Sequence, residues 1–144
     1  MMILDTSVLG YAVGGEHPLR DPCRRVLAAQ ATGRLDGATT VEVIQEFTHI
    51  QARRRPRAEA AGLARDYAAS VQLLQATPAD LLRALTIFEQ SPALGMFDAV
   101  LAAVALNHGA DGLISADGAF GSVSGLRWID PASPDLDAIL GTVE

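Results

Sequence analysis

Short apolar runs alternate along the chain with longer segments of helical periodicity. Residues 1–4 form an uninterrupted apolar run that stops at Asp5, and such a run predicts a strand covered on both faces, as in a parallel sheet. Further strands are predicted at residues 35–38, 71–74, 113–115 and 126–129. The alternation therefore predicts one α/β domain over residues 1–144 with a mostly parallel sheet.

The segments between the strands carry apolar residues at three- and four-residue steps, which is typical of helices packed on one side. Helices are predicted at residues 7–13, 18–32, 58–70, 77–90, 97–108 and 135–140. Residues 39–42 match a capping box, in which Glu42 would close the start of a further helix. That helix is expected to end before Pro56, because the residue before a proline leaves the helical region.

Composition narrows the class of protein. With 49% hydrophobic residues and a single cysteine, Cys23, the chain is expected to fold without a disulfide framework. No signal peptide or membrane-spanning stretch is evident, so we expect a cytoplasmic protein with no membrane partner. The net charge of −6 does not suggest a broad DNA-binding face, and the 11 basic residues are all arginine. The absence of lysine excludes Schiff-base chemistry and a phosphate-loop lysine.

Four acids occupy comparable places relative to the predicted elements. Asp5 ends a strand, Asp117 follows another, Asp98 opens a helix, and Glu46 lies one turn inside a helix. Strand ends and the following helix starts meet at one edge of a parallel sheet, so we expect these side chains to converge. Clustered carboxylates require protonation or a cation, and oxygen ligands suit Mg²⁺ or Mn²⁺. The histidines and Cys23 lack zinc-site spacing.

Each acid also has a structural interpretation. Asp5 could turn the chain out of its strand, Asp98 could cap its helix, and Asp117 with Gly118 could form a turn. The arginines at positions 53, 54 and 55 could form a solvated helix end, or a basic rim that attracts phosphates to the acids.

The motifs around the acids resemble those of the PIN domain, and more narrowly of VapC toxins from bacterial type II toxin–antitoxin modules. They are Asp5-Thr6-Ser7, Ile44-Gln45-Glu46-Phe47, Phe97-Asp98-Ala99 and Ile114-Ser115-Ala116-Asp117. The resemblance extends in order from Met2 to about Pro131. It implies a three-layer α/β/α sandwich around a mostly parallel sheet. It also implies a Mg²⁺- or Mn²⁺-dependent endoribonuclease whose metal-activated water cleaves RNA phosphodiester bonds.

The resemblance also implies roles for individual residues. Asp5, Glu46, Asp98 and Asp117 match the catalytic quartet, and Asp5, Asp98 and Asp117 would contact metal. Thr6, Ser7 and Ser115 match supporting positions, while Arg53, Arg54 and Arg55 are expected to contribute to substrate binding. The Gln-Glu-Phe context favours Glu46 over Glu42 as the quartet member.

The resemblance further implies three partners, namely an RNA substrate, a VapB-like antitoxin and a second copy of the chain. We expect the antitoxin to bind an exposed apolar groove formed by Val8, Leu9, Tyr11 and Val13, the stripe from Leu19 to Leu27, and the helix end from Phe47 to Ile50. Two other functions stay open: a PIN-like scaffold that binds RNA or protein without cutting, and an aspartyl-nucleophile phosphatase. The phosphatase is disfavoured because it needs a second acid at position 7, where this chain has Ser7.

Overall fold

Five parallel strands form one sheet with the first strand at its centre. The structure is a computed structural model that describes residues 1–141, so the last three residues of the predicted domain lie outside the described part. The strands are β1 (Met2–Leu4), β2 (Gly37–Thr40), β3 (Gln72–Leu74), β4 (Gly112–Ile114) and β5 (Trp128–Ile129), in the order β3-β2-β1-β4-β5. Every pair among them is parallel. Their carboxyl ends therefore share one edge, with Asp5 in the middle.

Helices connect the strands and cover both faces of the sheet. They are α1 (Thr6–Val13), α2 (Arg20–Ala31), α3 (Val41–Gln51), α4 (Arg57–Ser70), α5 (Pro78–Gln90), α6 (Met96–Asn107) and α7 (Pro134–Leu140), with a short 3-10 helix at Gly118–Ser122. Helix α5 begins at Pro78 directly after its cap residue Thr77, and Thr77 and Asp80 exchange hydrogen bonds in a capping box. The predicted α/β/α fold class is confirmed.

Alternation of side chains along the central strands divides the core in two. Ile3 packs with residues of α3, α4, α5 and α6, whereas Met2 and Leu4 pack with residues of α2 and α7. Successive strand residues point to opposite faces, so a continuous apolar run fills both layers. Helix α1 crosses the boundary, because Leu9 belongs to the first cluster and Val8 to the second.

The predicted capping box at residues 39–42 is wrong by one residue. Thr39 lies in β2, and its hydroxyl donates to the Leu4 carbonyl at 2.7 Å. Thr40 is the residue that caps α3, because its hydroxyl accepts from the Val43 N–H. The Glu42 carboxylate is thereby free to accept from the Ala76 N–H at 3.2 Å instead. Pairing of β2 with β1 and β3 extends the strand past the predicted end at position 38.

The predicted apolar groove on the first helices is also wrong. Val8 and Leu9 of α1 are buried, as are Cys23 and Val26 of α2 and Phe47 of α3. Helix α1 lies at the centre of the sheet edge and packs between α2 and α3, so the apolar stripes counted as exposed are part of the core. The cleft that remains between α1 and α3 has mixed walls, with Tyr11 and Ile50 among polar groups.

Exposed apolar side chains are concentrated instead on α5. Ala84 and Ile87 of this helix are buried, while the opposite side exposes four large apolar residues. We call these residues the α5 stripe: Leu81, Leu82, Leu85 and Phe88. No helix in residues 1–141 is long and apolar enough to cross a membrane.

Candidate active site

The four acids come together at the carboxyl edge of the sheet, as the strand pattern predicts. Asp5 directly follows β1 and Asp117 follows β4, while Glu46 and Asp98 project from α3 and α6. One cleft, of about 580 Å³, is lined by all four carboxylates. A second cleft, of about 710 Å³, shares three of them, namely Asp5, Glu46 and Asp98.

Asp5 is held by hydroxyl groups. It stands at the N-cap position of α1, but its carboxylate makes no capping hydrogen bond. Its Oδ2 atom accepts from the Ser7 hydroxyl at 2.9 Å and from the Ser115 hydroxyl at 2.7 Å. Neither Thr6 nor Ser7 caps the helix. The two serines therefore fix one oxygen of Asp5, a residue that lines both clefts.

The loop after β4 is joined to Asp5 through the same serines. The Ser7 hydroxyl accepts from the Ala116 N–H at 3.0 Å, and the Ser115 hydroxyl accepts from the Asp117 N–H at 3.0 Å. Asp117 also fulfils its predicted turn role, because its Oδ1 accepts from the Ala119 N–H. The loop that carries Asp117 is therefore linked to Asp5 by four hydrogen bonds, two through Ser7 and two through Ser115.

Glu46 is oriented by Thr6, the residue next to Asp5. The Thr6 hydroxyl donates to Glu46 Oε2 at 2.7 Å. This hydrogen bond fixes an otherwise exposed carboxylate on α3 beside the end of β1. Glu42, one turn earlier, lies at the far end of the larger cleft, where its Oε2 is buried without a hydrogen-bond partner in the described residues.

Asp98 shows the electrostatic cost of bringing these acids together. Partial burial raises its pKa from the ordinary 3.8 to about 7, with further contributions from the negative charges of Asp5, Asp117 and Glu46. Gly95 is the N-cap of α6, so Asp98 lies inside the first turn and caps nothing. Its carboxylate faces the other acids without an arginine or histidine among the causes of its shift.

The donors fit a hard divalent cation. Carboxylate oxygens with hydroxyl groups behind them are the ligand set that Mg²⁺ and Mn²⁺ prefer, and a cation would relieve the repulsion that raises the Asp98 pKa. As they stand, no three acidic, histidine or cysteine side chains within residues 1–141 are close enough to enclose a metal. The fold and the site together define the class: an α/β protein with an acidic, metal-type centre at the carboxyl edge of its sheet.

The three arginines predicted to bind substrate differ in their surroundings. Arg54 lines the smaller cleft together with the four acids. Arg55 is engaged elsewhere, since its guanidinium donates to the Val13 carbonyl, Gln51 Oε1 and Glu59 Oε1. Arg53 is exposed and lies 3.3 Å from the His49 ring.

Comparison with known proteins gives the same class. A family model described as the PIN domain matches residues 2–126. Ribonuclease VapC7 of Mycobacterium tuberculosis is 47% identical over 149 residues, covering 98% of this chain and 99% of that protein. The chain belongs to the PIN-domain family and, within it, to the VapC-type ribonucleases. The predicted resemblance is confirmed, and nucleases of this family depend on a metal ion.

Solved structures agree on the fold. VapBC2 from Rickettsia felis, bound to a DNA fragment from its promoter, superposes with a TM-score of 0.72 at 16% identity, over 90% of this chain and 97% of that one. VapC20 of Mycobacterium tuberculosis, described as a Sarcin-Ricin loop cleaving toxin, has a TM-score of 0.72 at 18% identity, over 88% and 96% of the two chains.

The positions of two residues at the site were not predicted from the sequence. Trp128 donates from its indole to the Ser115 carbonyl at 2.9 Å and so holds the loop after β4. Phe97 is part of a recognised motif, but its ring is 86% exposed beside Asp98.

Proposed function

We propose that this chain is a Mg²⁺- or Mn²⁺-dependent endoribonuclease of the cytoplasm that acts as the toxin of a toxin–antitoxin module. The observation that supports the proposal best is the convergence of four carboxylates, which raises the pKa of Asp98 through burial and through its three acidic neighbours. Such a cluster is unfavourable at neutral pH unless one carboxylate is protonated or a cation offsets the charges, and a divalent cation suits its oxygen ligands. The 47% identity with Ribonuclease VapC7 supports RNA as the substrate.

Each acid has a proposed part in the reaction. Asp5, Asp98 and Asp117 would hold the cation, since all three line the same cleft. A bound divalent cation supplies a water of lowered pKa and offsets charge on the scissile phosphate. Glu46, kept in place by the Thr6 hydroxyl, accepts the proton of the attacking water. The Ser7 and Ser115 hydroxyls preserve the orientation of Asp5 during the reaction.

Arg54 is the proposed contact for a neighbouring phosphate. It borders the cleft with the acids, whereas Arg55 is engaged by a carbonyl, an amide and a carboxylate. RNA loops are the natural substrate class, because an unpaired strand can place one phosphate over the acids. We propose Arg53 for a weaker, more peripheral contact.

Two protein partners complete the proposal. A cognate antitoxin would occupy the cleft between α1 and α3 and bring a basic side chain to the acids, which the mixed walls of this cleft permit. A second copy of the chain would cover the α5 stripe, because a contiguous exposed apolar face on a helix is typical of a protein interface. A two-fold symmetric contact places α5 against its own copy.

The test is cleavage of a covalently closed circular RNA, which only an endonuclease can open. Purified protein should linearise the circle with Mg²⁺ or Mn²⁺ and not with EDTA. Asp5→Asn protein purified identically controls for contaminating ribonuclease. A folded wild-type protein that leaves the circle intact with both metals would contradict the enzymatic proposal.

The toxin role has a separate test in cells. Expression of the wild-type chain should arrest growth, Asp5→Asn should not, and co-expression of the small protein encoded by a neighbouring reading frame should restore growth. Normal growth despite soluble wild-type protein would contradict the toxin role but not the enzymatic one.

A further inference from the structure

A largely apolar cleft opens directly from the acidic cluster between α3 and α6. Its volume of about 710 Å³ lies within the range of roughly 300–1,000 Å³ that is typical of small-ligand sites. Its apolar lining is formed by Val43, Ile50, Phe97, Val100 and Leu101. Because Asp5, Glu46 and Asp98 line the same cleft, a group bound in it lies next to the reacting phosphate.

Phe97 is the unusual member of this lining. Its side chain is 86% exposed, against 47% for Phe88 on the α5 stripe. Packing in the core therefore does not explain why an aromatic side chain stands at this position. It lies in the first turn of α6, one residue before Asp98, so the backbone couples its position to that of a proposed metal ligand.

The rim of the cleft adds hydrogen-bonding groups to this apolar surface. Gln45 and His49, one turn apart on α3, line it. An amide and an imidazole supply both donors and acceptors. An apolar wall with an exposed aromatic ring and a polar rim matches a nucleobase, whose faces are apolar and whose edge is polar.

We propose that this cleft binds one unstacked nucleobase of the substrate RNA, adjacent to the scissile phosphate, with Phe97 as its stacking surface. The inference rests on the proposed ribonuclease function and adds to it a base-binding subsite. A strand whose phosphate lies over the acids must direct the attached base away from the carboxylates, and the adjoining cleft receives it. Stacking on an aromatic ring compensates for the loss of stacking within the RNA.

A protein segment is the competing occupant. The α5 stripe already provides a separate exposed apolar face for a second copy. The cleft of Phe97 differs from that stripe because it is continuous with the acids. This continuity favours the substrate over a protein as the occupant.

The experiment combines a Phe97 substitution with removal of the base. A hairpin RNA with a randomised loop is cleaved by wild-type protein and the cut bond is mapped. The same hairpin is then made with an abasic nucleotide on the 5′ or the 3′ side of that bond. Wild type, Phe97→Ala, Phe97→Trp and a matched control, Leu73→Ala, are compared by kcat/KM on all three RNAs. Leu73 is an exposed apolar residue on β3 outside both clefts.

Phe97→Ala should lower kcat/KM on the intact hairpin by roughly five- to 150-fold, the range that loss of one stacked base implies. One of the two abasic hairpins should be cleaved slowly by wild type and no more slowly by Phe97→Ala. Phe97→Trp should retain activity, and Leu73→Ala should resemble wild type. The exposure of Phe97 makes misfolding of its variants unexpected, and thermal unfolding checks this.

The proposal is overturned if Phe97→Ala cleaves the intact hairpin as wild type does. It is equally overturned if the variant loses the same factor on the intact and both abasic hairpins, since the ring then acts on something other than a base. If Phe97→Ala lost the same factor on all three hairpins and also changed in sedimentation mass or in antitoxin binding, Phe97 would belong to a protein interface. Wild type that cleaves no hairpin with either metal would reject the ribonuclease function itself, and the subsite with it.

Discussion

Replacement of Asp98 by asparagine should stabilise the metal-free protein while abolishing cleavage. Asparagine keeps the size of the side chain and removes the charge that Asp5, Asp117 and Glu46 oppose. Because the pKa of Asp98 is raised on folding, folded protein binds a proton more readily than unfolded protein between pH 4 and about 7. Stability from this group is therefore lost as the pH rises through that window.

The size of the effect follows from the shift. A pKa that moves from 3.8 to about 7 sets an upper bound of roughly 4 kcal/mol at 1.36 kcal/mol per pKa unit. The Asp98 side chain is only partly buried, and solvent screens its interactions with the other acids. We therefore expect Asp98→Asn to be more stable than wild type by about 1–2 kcal/mol at pH 8, with little difference near pH 4.

Urea unfolding in EDTA at intervals from pH 4 to 8 measures this difference. Subtraction of one profile from the other removes the groups that titrate alike in both proteins. Asp66→Asn, which changes an exposed carboxylate on α4, is the control and should track wild type. Added Mg²⁺ or Mn²⁺ should stabilise wild type at pH 8 more than Asp98→Asn, because a ligand of the folded state raises its stability.

Two results would refute the reasoning. Parallel pH profiles for wild type and Asp98→Asn would show that the acids do not oppose one another as their placement implies. Full cleavage by folded Asp98→Asn with Mg²⁺ or Mn²⁺ would remove Asp98 from the site.

Three further predictions follow from contacts at the site and on the surface. Glu46→Gln should lose far more cleavage activity than Glu42→Gln, measured as kcat at saturating RNA. Arg54→Gln should raise KM and lower the salt dependence of binding by about one phosphate contact, whereas Arg55→Gln should cost about 1–2 kcal/mol in urea unfolding through its lost hydrogen bonds. Leu82→Arg on the α5 stripe, where the leucine is 68% exposed, should shift sedimentation equilibrium from dimer to monomer.

Each of these has a clear contrary result. If Glu42→Gln were inactive and Glu46→Gln active, the catalytic acid of α3 would be Glu42, one turn before Glu46. If the Arg54 and Arg55 variants had equal KM values, Arg54 would have no particular role in substrate binding. A Leu82→Arg protein that keeps its dimer mass would place the interface elsewhere.

The sequence by itself was sufficient for the fold class and for the convergence of the acids. Both depend on local patterns: an apolar run that stops at Asp5 must be a buried strand, and parallel strands bring their carboxyl ends to one edge. A helix start with a strong cap could also be predicted from the sequence, as Thr77 before α5 shows. The confirmed family resemblance rests on the same short motifs around the acids.

Where neighbouring residues could play the same role, the tertiary structure decided which of them does. Thr39 and Thr40 are both plausible caps in sequence, and both lie in β2. Thr40 is the last residue of the strand and directly precedes α3, so its hydroxyl caps the helix, whereas the Thr39 hydroxyl donates to the Leu4 carbonyl. Thr6 supports Glu46 rather than Asp5. Arg54 and Arg55 are adjacent and chemically identical, yet only the surroundings of Arg55 provide a carbonyl and a carboxylate for its guanidinium.

The sequence likewise did not determine which helix faces are buried. The apolar stripes of α1 and α2 suggested an exposed groove, but α1 lies across both core layers and buries Val8 and Leu9. The exposed stripe lies on α5, whose periodicity in sequence resembles that of any helix with one packed side. Periodicity shows that a helix has an apolar face, but the position of the helix relative to the sheet determines whether that face meets the core or remains available to a partner.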